Sequence, residues 1–458
     1  MENNAQKRSW FKTSITARML IIGFLILILM IPLLFVQGLI TERAERQQSV
    51  INDINEKWGK ELLIAGPVLK IPYLEYTEIE KFDEATKKTI KEKRANTKYA
   101  YFFPDDLHIS SKVDAFKKEY GIYETAVFSS SMEFTGSFSM PDFETHDISP
   151  NDILWDKATF IIQTSNLKGI KESVSITLNK NNYSFIPRYK TPRNNQPYNM
   201  LPFLHELESI RIPKQELPVN EPVEFTFRLH INGSDKIQFI PVGKETKVSM
   251  ESNWEHPSFQ GAFLPEKEVE ATEMQKLKGF KAQWNVLQIN RQFEQSFFGF
   301  LPNLSEFAFG VKLFLPVDHY QKSERSAKYG YLVIALTFLV FFLLQIISKI
   351  YIHPFQYLMI GLPLVMFYTL LISISEHESF FKAYLYAGSA VVVLISLYSI
   401  SILKNYKFPL LIFSTLASLY TFIYVIISLE NYALLVGSIG LFVILALVMF
   451  FSRKIDWR

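Results

Sequence analysis

The sequence predicts a membrane α-helical bundle joined to an all-β or α+β exported domain, and three observations carry that prediction. Residues 329–451 are apolar with only four short polar breaks. A second apolar stretch, residues 19–40, stands alone near the N-terminus. The polar segment between them alternates apolar and polar residues with the two-residue period of strands. The expected architecture is six transmembrane helices, one followed by five, with antiparallel sheets inserted between helix 1 and helix 2 as one or two β-sandwiches.

A hydrocarbon core about 30 Å thick needs about 20 apolar residues per spanning helix, since each residue rises about 1.5 Å. The C-terminal run supplies five such pieces, 331–347, 357–374, 383–403, 408–429 and 432–451, each bounded by charge, Pro, Asn or His. With 458 residues, 48% of them hydrophobic and 40 of them Phe, the chain is too long for one domain and too apolar for an ordinary soluble protein. Its formal charge of +3 gives no reason to expect a nucleic-acid partner. The absence of cysteine rules out disulfides, thiolate metal sites and a cysteine nucleophile, so the large polar segment has to fold on its core alone.

Charge sets the expected orientation. Lys7, Arg8, Lys12 and Arg18 precede the first helix and keep the N-terminus, residues 1–18, in the cytoplasm. Lys349, then Lys404 and Lys407, then Arg453, Lys454 and Arg458 fall on the same side, while Glu376, Glu378 and Glu430 fall on the other. Both termini, the second being residues 452–458, are therefore expected inside and the large domain outside. Residues 19–40 read as an uncleaved anchor, because the stretch is of full spanning length and residues 35–39 offer no small-x-small cleavage site.

After the anchor, residues 41–66 read as an amphipathic stalk, with Ala44, Ile51, Ile54 and Trp58 at helical spacing, weakened at Gly59 and ended by Gly66 and Pro67. The exported domain, residues 67–328, follows. Val223, Phe225, Phe227, Leu229 and Ile231 alternate with polar residues, and Asn232-Gly233 has the composition of a tight hairpin turn into a partner strand over 236–240. Residues 246–250 and the long stretch 125–140 alternate likewise, and 174–178 with 183–185 read as another hairpin. Residues 81–94 and 191–198 read as exposed loops or hairpin tips. The domain ends near 316–325, with the second spanning helix expected directly after it, so that the bundle occupies residues 329–451.

Few residues carry a chemical signature. His205-Glu206 opens a zinc-protease pattern, but Ser209 stands where the second histidine would have to share a helix face. Trp254, His256, Ser258 and Phe259 are a candidate binding loop, against which stands a rigid turn with its aromatics in the core. Glu376 and His377 are a candidate metal or pH-responsive pair, against which stands a plain helix-ending turn. The spans hold no Asp, Glu, Lys or Arg at mid-depth, which disfavours ion-coupled transport, and Gly361, Gly388, Ser389, Gly437 and Gly440 read as points of close helix approach.

Many short motifs resemble one family. They include Gly66-Pro67 with Ile71-Pro72, Gly121 to Glu124, Ser252-Asn253-Trp254, Phe263-Leu264-Pro265, Gly279-Phe280 with Trp284, Pro316-Val317-Asp318 with Tyr320, His353-Pro354 with Gln356-Tyr357, Ser375-Glu376-His377 and Ile455-Asp456-Trp457. The pattern, running from stalk to C-terminus, resembles the CreD family of inner membrane proteins, also described as cell envelope integrity proteins. The resemblance implies a plasma-membrane protein of diderm bacteria with its large domain periplasmic, linked to a two-component system and to envelope stress, and it implies no established biochemical activity. The chain stops at Arg458, whereas some members carry a longer charged cytoplasmic tail.

Taken together, the expectation is a non-enzymatic protein without cofactor or metal. Beyond the lipid bilayer its partners are expected among envelope proteins, lipids or cell-wall material. A transporter or channel for a neutral or lipid-like substrate is the alternative, and a membrane enzyme on a lipid-linked or wall substrate the third, drawing on Asp318, His319, Glu376 and His377. Trp254, His256, Ser258, Phe259, Asp318, His353, Glu376 and His377 are the positions to locate in the structure.

Overall fold

An apolar stretch that runs directly into a charged one makes a single long helix, α1, Ile15–Trp58, which continues through Pro32. The computed structural model describes residues 15–83, 88–189, 204–218, 221–270, 279–315, 319–403, 407–429 and 432–453. It divides into two units, Val50–Pro316 and Met1–Ser49 with Val317–Arg458. Helix α1 stops at Trp58, earlier than the expected end at Gly66-Pro67, because Gly59 at φ 149° turns the chain. Those two residues instead lie inside the first strand, where its register shifts between Ala65 and Val68.

The unit Val50–Pro316 is built of strands. They are β1 Leu62–Asp83, β2 Lys88–Phe102, β3 Asp106–Tyr120, β4 Tyr123–Phe138, β5 Thr159–Thr164, β6 Ser175–Leu178, β7 Asn181–Arg188 and β8 His205–Ser209. Then come β9 Val223–Ser234, β10 Lys236–Phe239, β11 Glu245–Ser252, β12 Pro257–Gly261, β13 Lys267–Glu270, β14 Phe280–Leu287, β15 Ser296–Phe298 and β16 Phe309–Leu313. Neighbouring strands follow the order β12-β16-β10-β1-β5-β8-β7-β6-β9-β4-β3-β11-β14-β13, and β2, which carries β15, branches from β1. Pairing is antiparallel, as expected, except between β1 and β10 and between β3 and β11. Alternation buries one face of β3, β9, β11 and β14; Phe134 of β4 stacks on Phe227 of β9 at 4.2 Å, and Phe138 packs with Phe160 and Phe225 in one contiguous core.

One expected turn is overturned. Strand β9 runs straight through Asn232 and Gly233, both paired with β4, and the chain turns at Asp235, at φ 62°. A two-residue hairpin of that composition needs positive φ at both central positions, and here neither has it. Gly233 serves packing instead, since a Cβ there would sit 2.3 Å from the Phe128 ring. Strand β10 accordingly pairs with β1 and β16 and not with β9. The hairpin expected over 174–185 is present as β6 and β7, turning at Asn179 and Lys180 with φ 45° and 82°. Residues 81–94 fall at the far end of the β1–β2 ribbon, paired as far as Asp83 with Lys88, and the loop expected over 191–198 lies outside the described residues.

The other unit is helical. It holds α2 His319–Lys328, α3 Gly330–Ser348, α4 Pro354–Ser375, α5 Phe380–Leu403, α6 Lys407–Ser428 and α7 Ala433–Ser452. Among the described residues six helices, α1 and α3 to α7, are long and apolar enough to cross a membrane. Helix α2 was not expected: a short polar helix precedes the second span, with Tyr320, Ser323, Ser326 and Ala327 forming its buried stripe. Close helix approach is real at Gly361, where a Cβ would come within 2.1 Å of Leu29 of α1. Two buried hydroxyls find partners across helices: Tyr357 donates to Gln345 Oε1 at 2.8 Å and Tyr384 to the Tyr420 carbonyl at 2.8 Å.

Candidate functional site

The positions singled out in the sequence do not converge on one place. Trp254 leaves β11 with its ring buried and its Nε1 donating to the Phe314 carbonyl at 3.1 Å. Asn253 braces the same turn, accepting from the Ala115 amide at 2.8 Å. Phe259 packs edge-on against Phe280 and Trp284, each at 5.8 Å. His256 is exposed, its carbonyl accepting from the Phe314 amide, and the Ser258 hydroxyl accepts from Gln260 Nε2 at 3.3 Å. The loop is thus a braced turn with anchored aromatics. His353 caps α4, its Nδ1 accepting from the Phe355 amide at 3.2 Å and its own amide donating to Gln356 Oε1 at 2.9 Å. Asp318 lies outside the described residues.

Glu376, by contrast, sits in a cluster. It ends α4 with its carboxylate largely shielded, accepting from the Tyr320 hydroxyl of α2 at 3.1 Å and facing Arg43 of α1 at 3.8 Å. Gln37, nearly two turns before Arg43, donates to the Ala327 carbonyl at 3.1 Å. One carboxylate therefore joins three helices far apart in sequence. His377 is exposed beside it, held by its backbone to Ile374.

Two polar clusters of the strand unit were missed by sequence reading. The first is buried. Lys70 of β1 lies 3.0 Å from Glu208 and 3.5 Å from Glu206, both on β8, and over the Tyr99 ring at 4.8 Å. Glu208 also accepts from Thr159 at 2.9 Å and from Arg188 at 2.5 Å. Burial opposes both charges, yet the hydrogen bonds and opposite charges win: the Lys70 pKa is raised and the Glu208 pKa is lowered. His205 and Glu206 are here on a strand, so the spacing a zinc-protease helix requires is absent from this segment.

The second cluster is open to solvent, a cleft of about 510 Å³ lined by residues of β1, β2, β15 and the segment 146–152. Its making is local. Strand β1 leaves β5 after Lys70, so its edge is free to take a single bridge from Ile153 to Tyr73 and the Leu154 amide on the Pro72 carbonyl at 2.9 Å. Short 3₁₀ turns at Glu144–His146 and Pro150–Asp152 follow, the first stabilised by Asp142, which accepts from the Glu144 and Thr145 amides at 3.0 and 3.2 Å. They carry His146 onto Phe298, ring on ring at 3.7 Å, with Tyr73 and Phe143 packed edge-on behind Phe298. Around these rings stand Tyr76, donating to Asp152 at 3.1 Å, and Lys98, paired with Glu75 at 2.5 Å. The hydrogen bond to Asp152 raises the Tyr76 pKa, and the bond to Glu75 raises that of Lys98. An aromatic stack whose His146 ring is exposed, with donors and acceptors around it, suits a ligand with an apolar face and polar edges, which is the surface a sugar ring presents.

Comparison with known proteins adds to this geometry. A family model described as Inner membrane protein CreD matches residues 14–458. Inner membrane protein CreD of Escherichia coli (strain K12) is 29% identical over 435 residues, which cover 94% of this chain and 91% of that protein.

Proposed function

Because the chain belongs to the CreD family of multi-pass inner membrane proteins, we propose that it supports envelope integrity as a binding protein, holding an envelope component on its strand unit rather than transforming it. The cleft of Tyr76, Lys98, His146, Asp152 and Phe298 carries this reading, since it combines stacking surface with charged and hydroxyl groups at its rim. The component is wall saccharide, whose ring faces fit the His146–Phe298 stack and whose hydroxyls fit Tyr76, Asp152 and Glu75. The reading requires the strand unit to be periplasmic and both termini cytoplasmic, which is supported by Lys349, Lys404, Lys407 and Arg453 falling on one side of the spans and Glu376 and Glu378 on the other.

Two experiments test it separately. A reporter active only after export, inserted at Gly121 in the turn between β3 and β4, is expected to be active, and activity of a cytoplasm-only reporter there overturns the orientation. Purified wall sacculi are expected to retain the full-length protein and to release it several-fold more readily in the Tyr76→Ala and His146→Ala variants. Equal retention of wild type and both variants overturns the cleft as the binding site.

A further inference from the structure

We propose that the outward face of α2 is a docking surface for the phosphates of anionic membrane phospholipid, a site independent of the strand-unit cleft. Helix α2 is two-faced: Tyr320, Ser323, Ser326 and Ala327 are buried, while Arg325 and Lys328 are exposed and Lys322 is partly exposed. Lys328 is paired with Glu324 at 2.8 Å, whereas Lys322 and Arg325 have no ion pair among the described residues.

Depth decides what these cations meet. Helix α2 descends beside α1 and α4. Near its start Tyr320 is bonded to Glu376, which faces Arg43, and near its end the Ala327 carbonyl accepts from Gln37. Gly330, the first residue of α3, lies so close to Leu33 that a Cβ there would come within 2.8 Å of it. The apolar stretch of α1 ends at Ile40. At about 1.5 Å per residue, Arg43 lies about 5 Å beyond that end and Leu33 about 10 Å inside it. Arg325, midway along α2, therefore stands close to the boundary between hydrocarbon and headgroups.

A cation at that boundary has hydrocarbon on one side, and the nearest fixed anions are lipid phosphates. Long lysine and arginine side chains reach them by extending along the apolar surface toward the headgroups. The planar fork of arginine takes a phosphate through two parallel hydrogen bonds. Tyr331, half exposed one turn past Lys328, is of the residue type that settles in the same layer. Lys322, Arg325 and Lys328 also stand at the end of α3 opposite Lys349, so the charge bias that orients the spans does not account for them.

The test uses the full-length protein in vesicles of equal phosphatidylglycerol and phosphatidylcholine. Photoreactive benzoylphenylalanine is placed instead of Tyr331 and, as a control, instead of Leu394, exposed well inside α5. After irradiation, the mass of each adduct tells which phospholipid was captured. A cation near a membrane surface is worth about fivefold in local anionic lipid. Phosphatidylglycerol is therefore expected in several-fold excess at position 331, and the two lipids in equal amounts at 394. Arg325→Gln should lower the excess at 331 by about fivefold, and Lys322→Gln combined with it should nearly abolish the excess, while capture at 394 stays unchanged. Equal capture of the two lipids at 331 with all three cations present, an excess that the double variant leaves intact, or no lipid captured at 331 overturns the proposal. Should the variants fail to accumulate in the membrane, the capture ratios at 331 and 394 without them decide between these outcomes.

Discussion

The two polar clusters of the strand unit are made of similar parts and differ in one respect. Lys70 with Glu206, Glu208 and Arg188 joins lysine to carboxylates beside a tyrosine ring, and so do Lys98, Glu75, Asp152 and Tyr76. The first is covered: the Glu208 side chain is 11% exposed, whereas Tyr76 is 51% exposed. Under cover, each charge depends on its partners, since separating them leaves a desolvated ion with nothing to compensate it. In the open, water stands in for a lost partner and the groups remain available to a ligand. Burial thus assigns one cluster to the fold and leaves the other for binding.

The largest effect that would break this comparison is at Lys70. Lys70→Met removes the cation that faces both Glu206 and Glu208 and leaves Arg188 on Glu208, and is expected to cost about 3–5 kcal/mol, measured by urea unfolding of the full-length protein in detergent. Pairing it with Glu208→Leu should recover part of that loss, because it removes one of the two carboxylates that Lys70 faces; no recovery would mean that the cluster does not act as a unit.

Acid sharpens the same point. The folded-state pKa of Glu208 lies below its ordinary value of 4.5, so its contribution is complete above pH 4.5 and is lost as pH falls through the lowered value. Lys70, raised above 10.5, contributes fully below that pH and loses its contribution as pH rises through the raised value. Unfolding midpoints measured against pH should therefore fall at both ends, and Glu208→Gln should flatten the acid limb.

Glu376 is the intermediate case, its side chain 15% exposed and Arg43 opposite it 41% exposed. Glu376→Gln keeps an acceptor for Tyr320 and loses only the ion pair, so a change within about 1 kcal/mol is expected, read as a thermal shift of the solubilised protein. Complementation of a deletion strain by Glu376→Ala and His377→Ala would confine these residues to holding helices together. The smallest stability effect is expected at Tyr76→Phe, which should leave the unfolding midpoint unchanged while weakening retention on sacculi. A drop in midpoint there would place the open cluster with the buried one.

Much of the helical unit was legible because a spanning helix is specified by composition over about 20 consecutive residues. Its expected spans match α3 to α7 within a few residues at each end. Helix α2 was not, since its signal is only a stripe of small residues and one tyrosine in a polar stretch. Among the strands, β4, β6, β7, β9, β10 and β11 were visible, but apart from the β6–β7 hairpin their pairing was not. Asn232-Gly233 has the residues of a turn but lies in a strand paired with β4, with Phe128 filling the space a side chain at Gly233 would need.

The sequence by itself determined how many times the chain can cross a membrane and that the long segment between the first two spans is rich in strands, because hydrophobic length and period are properties of consecutive residues. It also exposed Glu376, through its place at the end of an apolar run. Only the tertiary structure decided that Glu376 meets Arg43 and Tyr320, that Lys70 reaches Glu208, and that residues 73–76, 98, 146–152 and 298 surround one cleft. These meetings depend on which strand edges and helix faces pair between elements distant in sequence, and that choice is settled by competition among packed surfaces, which no local pattern records.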